Sequence, residues 1–520
     1  MPEDPAAFAH PSQLLCLPSE AATDLAPLEY RLPPGCSLLV AGSFRGRFEV
    51  WDSFDWRLWY KAKSLLLRRM DHWWLISRKG YGLVPQAPSG SAARGARWPD
   101  AFTAHSGGRR LGAVLGPRAL IEVASYVHRE SSFWVLDANQ KKIARLSALE
   151  LRSTAPSPPF FSGLVLHPLL GYQRETQGVC DALSASGYQR QRKSPVLALL
   201  ETQGKAPFRY TPKPRLALKP ELPARAAVDR VIATQLKIMQ ANAFGIEQDI
   251  DPEFLHDYRI ALRAARAVLA LLPSVYDTDQ VEPLRNELRS LQQQTNHMRD
   301  LDVWIAEADS RVAVLPDALS GAGREVFAAL AEERAVALKT VRSHLQAPQY
   351  RGRLEALART FGTGAPDLAG ADAEAPIVDL VQREVRRRYR KLREATRAGL
   401  PATDEALHRL RVQCKKLRYL LEVFAAVLPA ESAAGAVKAL RRLQNALGEY
   451  NDLRLREDAL QDLVFQGRLH APEAVFAAGL LAGVDLRDKA YARETIADAL
   501  AGFNCGSTKA CFRELSRATH

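Results

Sequence analysis

The spacing of apolar positions along the chain changes once, near residue 224. Before that point lie short runs rich in Val, Ile, Trp and Phe: SLLVAG, RFEVWD, HWWLISR, ALIEVASYVH and SFWVLD. Such runs, bounded by turn residues, predict β-strands. A helix is predicted around Arg174–Ser186. From Ala224 onward Ala, Leu, Arg and Glu dominate, and apolar residues recur at three- and four-residue intervals, the period of amphipathic helices. Breaks at Asp251-Pro252, Pro273, Pro316, Pro348, 361–376 and Pro401 bound helices of ordinary length. Between the two textures, residues 205–223 hold five prolines, which rules out a continuous helix and predicts an extended basic linker. The expected organisation is a flexible tail over 1–27, a β-rich domain over 28–204, the linker over 205–223 and a helical domain over 224–520.

The helical region repeats itself. LHDYRIALRAARAVLALL from Leu255 matches LHRLRVQCKKLRYLLEVF from Leu407 without a gap, at an offset of 152. His256 aligns with His408, Arg259 with Arg411, Arg263 with Lys415, and Arg266 with Arg418. LRSLQQQTNHMRDL from Leu288 matches LRRLQNALGEYNDL from Leu440 at the same offset, pairing Arg289 with Arg441, Gln292 with Gln444 and Asp300 with Asp452. Charged, apolar and amide positions all keep register, so the expectation is a duplicated helical unit with half-repeats near 224–375 and 376–505.

On a helix of about 100° per residue, His256, Arg259, Arg263 and Arg266 share an arc of about 80° and span about 15 Å. Tyr258, Leu262, Ala265, Leu269 and Leu272 fall on the opposite, core-facing side. His408, Arg411, Lys415 and Arg418 repeat the pattern. Like charges at such spacing repel by a few tenths of a kcal/mol per pair, roughly, in isolated helices. A stripe that carries this cost twice implies a compensating anion. Arginine offers planar bidentate contact to phosphate, lysine a point charge, and histidine a proton-dependent donor. Arg289, Arg441 and Arg442 are candidate contributors from the second helix, and VRRRYRKLR (385–393) could extend the basic surface. The competing reading is a solvated basic face, or arginines paired with Asp and Glu of neighbouring helices. Asp300 and Asp452 are expected to cap or orient helices.

Charge totals sharpen this. The net charge is +13, which favours an acidic partner. Residues 1–220 carry 29 Lys/Arg against 17 Asp/Glu, whereas 221–520 carry 42 against 41. An anion site in the helical half must therefore arise from segregation of charge, not from excess. Six scattered cysteines without a CxxC pair argue against zinc and against a disulfide framework. No apolar run approaches the roughly 20 residues of a membrane span. No signal pattern opens the chain, and a cytoplasmic location is expected.

The H-x2-R-x3-[RK]-x2-R helix, present twice and followed each time by L-R-x-L-Q and D-L, resembles the CHAD family (conserved histidine α-helical domain) over about residues 225–500. The resemblance implies two four-helix bundles related by a pseudo-twofold axis. It also implies a basic cavity that binds inorganic polyphosphate, and association with polyphosphate granules in bacteria. The positions it carries over are His256, Arg259, Arg263, Arg266, His408, Arg411, Lys415 and Arg418.

The first half resembles, more weakly, the CYTH family of triphosphate tunnel β-barrels, through WDSFDWRLWYKAKSLLLRR, HWWLISRKG, IEVASYVHRESSFWVLD and GYQRETQGVCDAL. That family's E-x-E-x-K entry reads here Pro27, Glu29, Arg31, so the first acid is missing. The basic side is better kept, with Arg31, Arg68, Arg78, Lys79 and Arg129 as possible phosphate contacts. Hydrolysis of triphosphate needs carboxylates to hold divalent ions.

The expected fold class is thus α+β and multidomain: an antiparallel, barrel-like CYTH-like domain that is degenerate and non-hydrolytic, and C-terminal all-α CHAD-like bundles. Polyphosphate binding is the leading expectation, with no catalytic residue, no metal and no cofactor. The alternatives are a divalent-metal inorganic triphosphatase and a nucleic-acid-binding protein, although no helix-turn-helix, zinc-finger or RNP pattern is present.

Overall fold

The computed structural model describes residues 13–16, 28–62, 64–69, 72–77, 83–86, 98, 108–154, 159–191, 195–205, 207, 210–363, 368–397 and 399–517. The chain divides into two compact units, Met1–Thr211 and Pro212–His520.

The first unit holds strands β1 (Gln13–Cys16), β2 (Ser37–Ser53), β3 (Ser64–Arg69), β4 (His72–Ser77) and β5 (Leu83–Gln86), then helix α1 (Gly108–Leu115). After these come β6 (Leu120–Leu136), β7 (Lys142–Ser153), β8 (Pro159–Pro168), α2 (Gln173–Ala185), β9 (Gln189–Arg190) and α3 (Pro195–Thr202). The strands form one antiparallel sheet in the order β5-β4-β3-β2-β6-β7-β8-β1-β9. Its outermost strands, β5 and β9, do not pair among the described residues, so the expected barrel is an open sheet. Closure requires the first and last strands to hydrogen-bond, and here they are short segments at opposite ends. The two apolar runs SLLVAG and RFEVWD are one strand, β2, and the next pair is likewise β6. These two strands pair along their whole length, with a bulge between Val40 and Gly42, where Gly42 adopts φ 153°. Strand β7, built from Ala, Ser and Lys as much as from apolar residues, has little propensity to announce it. Alternation along β8 sends Leu164 and Leu166 to one face, against Val179 and Leu183 of α2. It sends Val165 to the other, against Val196, Leu199 and Leu200 of α3.

That second face also carries a polar network. Glu130 accepts hydrogen bonds from Ser132 and Ser147, each at 2.6 Å, and lies 3.3 Å from His128 Nε2 and 3.5 Å from Arg145. Burial acts to raise the Glu130 pKa, but His128 and the two hydroxyls hold it down to about 2. Close by, burial pushes His167 down to about 4.

The second unit is helical: α4 (Ala224–Glu247), α5 (Pro252–Leu271), α6 (Thr278–Ala306), α7 (Ala308–Val312), α8 (Ser320–Gln346) and α9 (Pro348–Thr363). Then follow α10 (Ile377–Thr396), α11 (Asp404–Val423), α12 (Ala430–Phe465), α13 (Pro472–Phe503) and α14 (Gly506–Leu515). Asp251 and Thr403 cap α5 and α11 by accepting the amides of Glu253 and Ala406. Helix α11 starts and ends 152 residues after α5, and α12 and α13 start 152 residues after α6 and α8. The main contacts between the two sets of helices join α5 to α11, α4 to α10 and α8 to α13, each helix meeting its counterpart. No helix among the described residues is long and apolar enough to cross a membrane.

The Glu130 network yields a prediction. A carboxyl group with a lowered folded pKa stabilises the fold above its unfolded value, and that stability is lost as pH falls through the folded value. Glu130→Gln should therefore destabilise the first unit by about 1–3 kcal/mol at neutral pH, with the difference vanishing near pH 2. Urea unfolding followed by tryptophan fluorescence reads this selectively, because every tryptophan but Trp304 lies in the first unit.

Candidate functional site

Helices α5 and α11 are set by their apolar faces. Tyr258, Leu262, Ala265, Leu269 and Leu272 are all buried, as are Leu410, Cys414, Leu417 and Leu421 of α11. With those faces fixed in the core and the helices packed on each other, the basic stripes converge.

Lys415 is the centre of the convergence. Burial pushes its pKa down to about 7, and Arg263, Arg411, Arg259 and Arg418 push it further in the same direction. Cations from both helices gather at Tyr419, whose ring centre lies 5.9 Å from Lys415 Nζ and 5.4 Å from the Arg418 guanidinium. Arg263 donates from Nε to the Tyr419 hydroxyl of α11 at 3.3 Å, which places the two stripes within side-chain reach. Arg259 is only 6% exposed. Its Nη1 donates to Thr295 Oγ1 at 2.9 Å and to the Gln292 carbonyl at 3.4 Å, and its Nε has no hydrogen-bond partner. Burial and the neighbouring Arg263 pull Arg259 down to about 10. Among the described residues no carboxylate lies within ion-pair distance of Arg259, Arg263 or Lys415. Arg411 has one distant partner, Asp452 at 3.9 Å, and its buried Nε is unpartnered.

The outer members of the stripes are held differently. Arg266 donates to the side-chain oxygen of Gln292, and Arg418 donates to that of Gln444 at 2.6 Å. The glutamine of the L-R-x-L-Q motif therefore fixes the last arginine of each stripe. This role was not assigned from sequence, although the match of Gln292 with Gln444 was its signal. Arg418 also pairs with Glu422 at 3.0 Å, and Glu422 binds Arg441 at 2.8 Å. The position 152 residues before Glu422 is Ala270, so Arg266 and Arg289 have no such neutralising partner. Burial, then Arg289, lowers the Arg266 pKa. Arg289 is exposed and bonds Asn286 at 2.6 Å, with Glu282 at 4.0 Å. Arg442 is exposed.

Asp300 and Asp452 lie inside α6 and α12, so they are not caps. Burial raises the Asp300 pKa, Arg259 opposes that, and Asp452 adds to it. Asp452 lies 3.9 Å from Arg411, whereas Asp300 acts on Arg259 only from beyond ion-pair distance. His256 is half-buried in the first turns of α5, and His408 is exposed. One ligand atom each of Glu253, His256 and Asp257 lies within 4.8 Å of the others, a set that could hold a metal ion. The counterpart of Asp257 is Arg409, so the second half does not repeat the set.

In the first unit the expected phosphate contacts are not brought together. Arg31 lies in a 3-10 turn (Glu29–Arg31), not on a strand, and stacks on Tyr188 at 5.6 Å. Arg68 sits between the Trp51 and Trp73 rings and pairs with Glu49 at 3.3 Å. Arg129 pairs with Glu150 at 3.3 Å. Arg78 and Lys79 lie outside the described residues. The polar face that does exist, around Glu130, has as its sequence signal the run HRESS in β6, five polar residues within an otherwise largely apolar strand.

Residues 230–461 match the sequence model of the CHAD domain family. Two uncharacterized proteins from two strains of Mycobacterium tuberculosis are 27% identical to this chain over 234 residues. That match covers 44% of this chain and 43% of theirs, so the chain spans less than half the length of these relatives. Among solved structures, the CHAD domain of the plant Ricinus communis aligns with 56% of this chain and 95% of its own, at 24% identity and a TM-score of 0.48. PptA from Streptomyces chartreusis aligns over 54% and 99%, at 19% identity and a TM-score of 0.42.

An uncompensated cation cluster costs stability in the unliganded protein. Lys415→Met keeps the chain length of the side chain and removes the charge. It should stabilise the free protein by about 1–2 kcal/mol in the neutral range. Since the folded lysine has the lower pKa, the unfolded chain binds more protons above pH 7. The gain should therefore shrink as pH rises from 7 towards 10. Thermal unfolding of wild type and variant across that range checks both points.

Proposed function

We propose that this chain, which carries a CHAD domain over residues 230–461, binds inorganic polyphosphate between α5 and α11. The observation that carries the reading is the gathering of Arg259, Arg263, Arg411 and Lys415, of which only Arg411 has a carboxylate within ion-pair distance, Asp452 at 3.9 Å, while Asp300 and Asp302 act on Arg259 from further off. Structural arginines are normally paired, because an unpaired charge removed from water is costly. Cations held together by packing are preorganised for a ligand that supplies many negative charges close together. A phosphate chain does so, and its oxygens suit both the guanidinium fork and the ammonium group. The CHAD family is linked to polyphosphate and triphosphate-related proteins, in keeping with this reading.

In this reading the matching helix bounds reflect duplication, and the two halves grip one ligand across their shared axis. His256 and His408 stand at the ends of the stripes, where a phosphate would favour their protonated forms. Arg266, Arg289, Arg418 and Arg441 line the approaches. The site acts in the cytoplasm, and attachment to polyphosphate granules is its expected setting. The first unit is read as an open, non-hydrolytic relative of the CYTH sheet. Its carboxylates Glu49, Glu130 and Glu150 are engaged by Arg68, Arg145 and Arg129, and engaged acids are poor ligands for divalent ions.

Binding of long-chain polyphosphate to the full chain tests the reading. Arg263→Gln with Lys415→Gln should weaken binding by about 100-fold or more, as expected for losing two charge-assisted contacts, while far-ultraviolet circular dichroism stays unchanged. Equal affinity of variant and wild type would remove the site. Glu422→Gln should act in the opposite direction, by freeing Arg418 and Arg441, and tighten binding by about threefold to tenfold.

Proton linkage provides a further check. Lys415 has lost much of its proton above pH 7 in the free protein. A bound anion restores that proton, so binding at pH 8 to 9 should take up protons and affinity should fall as pH rises. Calorimetry in buffers of different ionisation enthalpy measures the uptake, which Lys415→Gln should abolish. Incubation with tripolyphosphate and magnesium should release no phosphate, and turnover would favour the triphosphatase alternative.

A further inference from the structure

Helix α10 carries a second basic feature that the groove does not use. Arg383, Arg386, Arg387, Arg390, Arg393 and Arg397 are all exposed. On the helical wheel they share an arc of about 120° and run about 21 Å along the axis. Two carboxylates of the helix, Asp379 in its first turn and Glu394 near its end, lie in the same arc. The first three arginines are engaged, by Asp372, by the Ser516 carbonyl and by Glu384. Arg390, Arg393 and Arg397 meet no carboxylate within ion-pair distance among the described residues.

The counterpart helix does not share this face. The positions 152 residues before Arg383, Arg390, Arg393 and Arg397 are Val231, Ile238, Ala241 and Gly245. Val231 and Ile238 are buried, and a Cβ on Gly245 would overlap the Phe254 ring. Helix α4 is covered by α9, α5 and α8, whereas α10 packs on α11, α4 and the shorter α14. The uncovered face is arginine where the covered one is apolar, so the two halves have diverged for different surroundings. Helix α10 itself packs on α11, the helix that carries Lys415.

We propose that the exposed arginine face of α10 is an outer track for phosphate chains that extend beyond the α5–α11 groove. The inference rests on the polyphosphate reading of the groove. Linear, evenly spaced cations without an apolar rim suit a flexible, uniformly charged chain. A membrane surface would call for exposed apolar anchors alongside the cations, and α10 and α14 expose no large hydrophobic residue. Single-stranded nucleic acid is held partly by aromatic stacking, and the one aromatic of this helix, Tyr389, is already stacked on Phe512 at 3.9 Å.

The test uses the full chain with Arg390→Gln, Arg393→Gln and Arg397→Gln combined, and two probes: tripolyphosphate, which is short enough for the groove alone, and long-chain polyphosphate. The triple variant should bind tripolyphosphate within about twofold of wild type. Its affinity for long-chain polyphosphate should fall about tenfold at low salt, with the log–log salt slope flattened by about two. Equal loss for both probes, or no loss for the long chain, overturns the outer track. The groove variant Arg263→Gln/Lys415→Gln separates the two ideas. If it leaves tripolyphosphate binding intact, the groove reading fails. If only the triple variant then loses the long chain, the α10 face is a site in its own right and not an extension of the groove. Displacement of long-chain polyphosphate by duplex DNA at equal phosphate concentration, from wild type but not from the triple variant, would assign the face to nucleic acid and also overturn the proposal.

Discussion

Mutual repulsion among Arg259, Arg263, Arg411 and Lys415 is the constraint around which the helical unit is organised. Nothing in those side chains favours their meeting. They meet because the opposite faces of α5 and α11 are buried, and each fully buried Leu, Phe or Val contributes about 1.5–3 kcal/mol. Tyr258, Leu262 and Leu269 on one helix and Leu410, Leu417 and Leu421 on the other fix the rotation of each stripe. The core therefore holds the cations together, and burial first, then the neighbouring arginines, lowers the Lys415 pKa.

The two halves share a plan and differ in how they treat its charges. Thr295 receives Arg259, whereas the matching position beside Arg411 is Leu447. Glu422 pairs with both Arg418 and Arg441, whereas Ala270 offers Arg266 no such partner and Arg289 meets only Glu282, at 4.0 Å. Gln292 and Gln444, by contrast, do the same work in both halves. What the halves keep in common orients the stripe. What they change sets which cations of each stripe meet a carboxylate.

The first unit follows a different logic. Its sheet is open among the described residues, Arg31, Arg68 and Arg129 are paired or stacked, and Glu130 is satisfied by two serines, His128 and Arg145. A satisfied buried network rigidifies and specifies a sheet; it leaves little charge over for a ligand.

The helical character of the region from residue 224 on, the breaks near Pro252, Pro273, Pro316, Pro348 and Pro401, and the two basic stripes opposite an apolar face are legible in the sequence; the breaks after Val423, Phe465 and Phe503 are not. The legible features follow from periods and spacings, which are local properties. The sequence also carried the match of Gln292 with Gln444, but not what the glutamines hold. Whether the stripes face each other, which arginines find a carboxylate and whether a sheet closes are questions about residues far apart in the chain. Glu422 looked like one acid among many until folding placed it between Arg418 and Arg441. Arg129 looked like a free cation until β7 brought Glu150 beside it. The tertiary structure decided these because charge compensation depends on distance in space, and sequence spacing fixes that distance only within a single helix or strand.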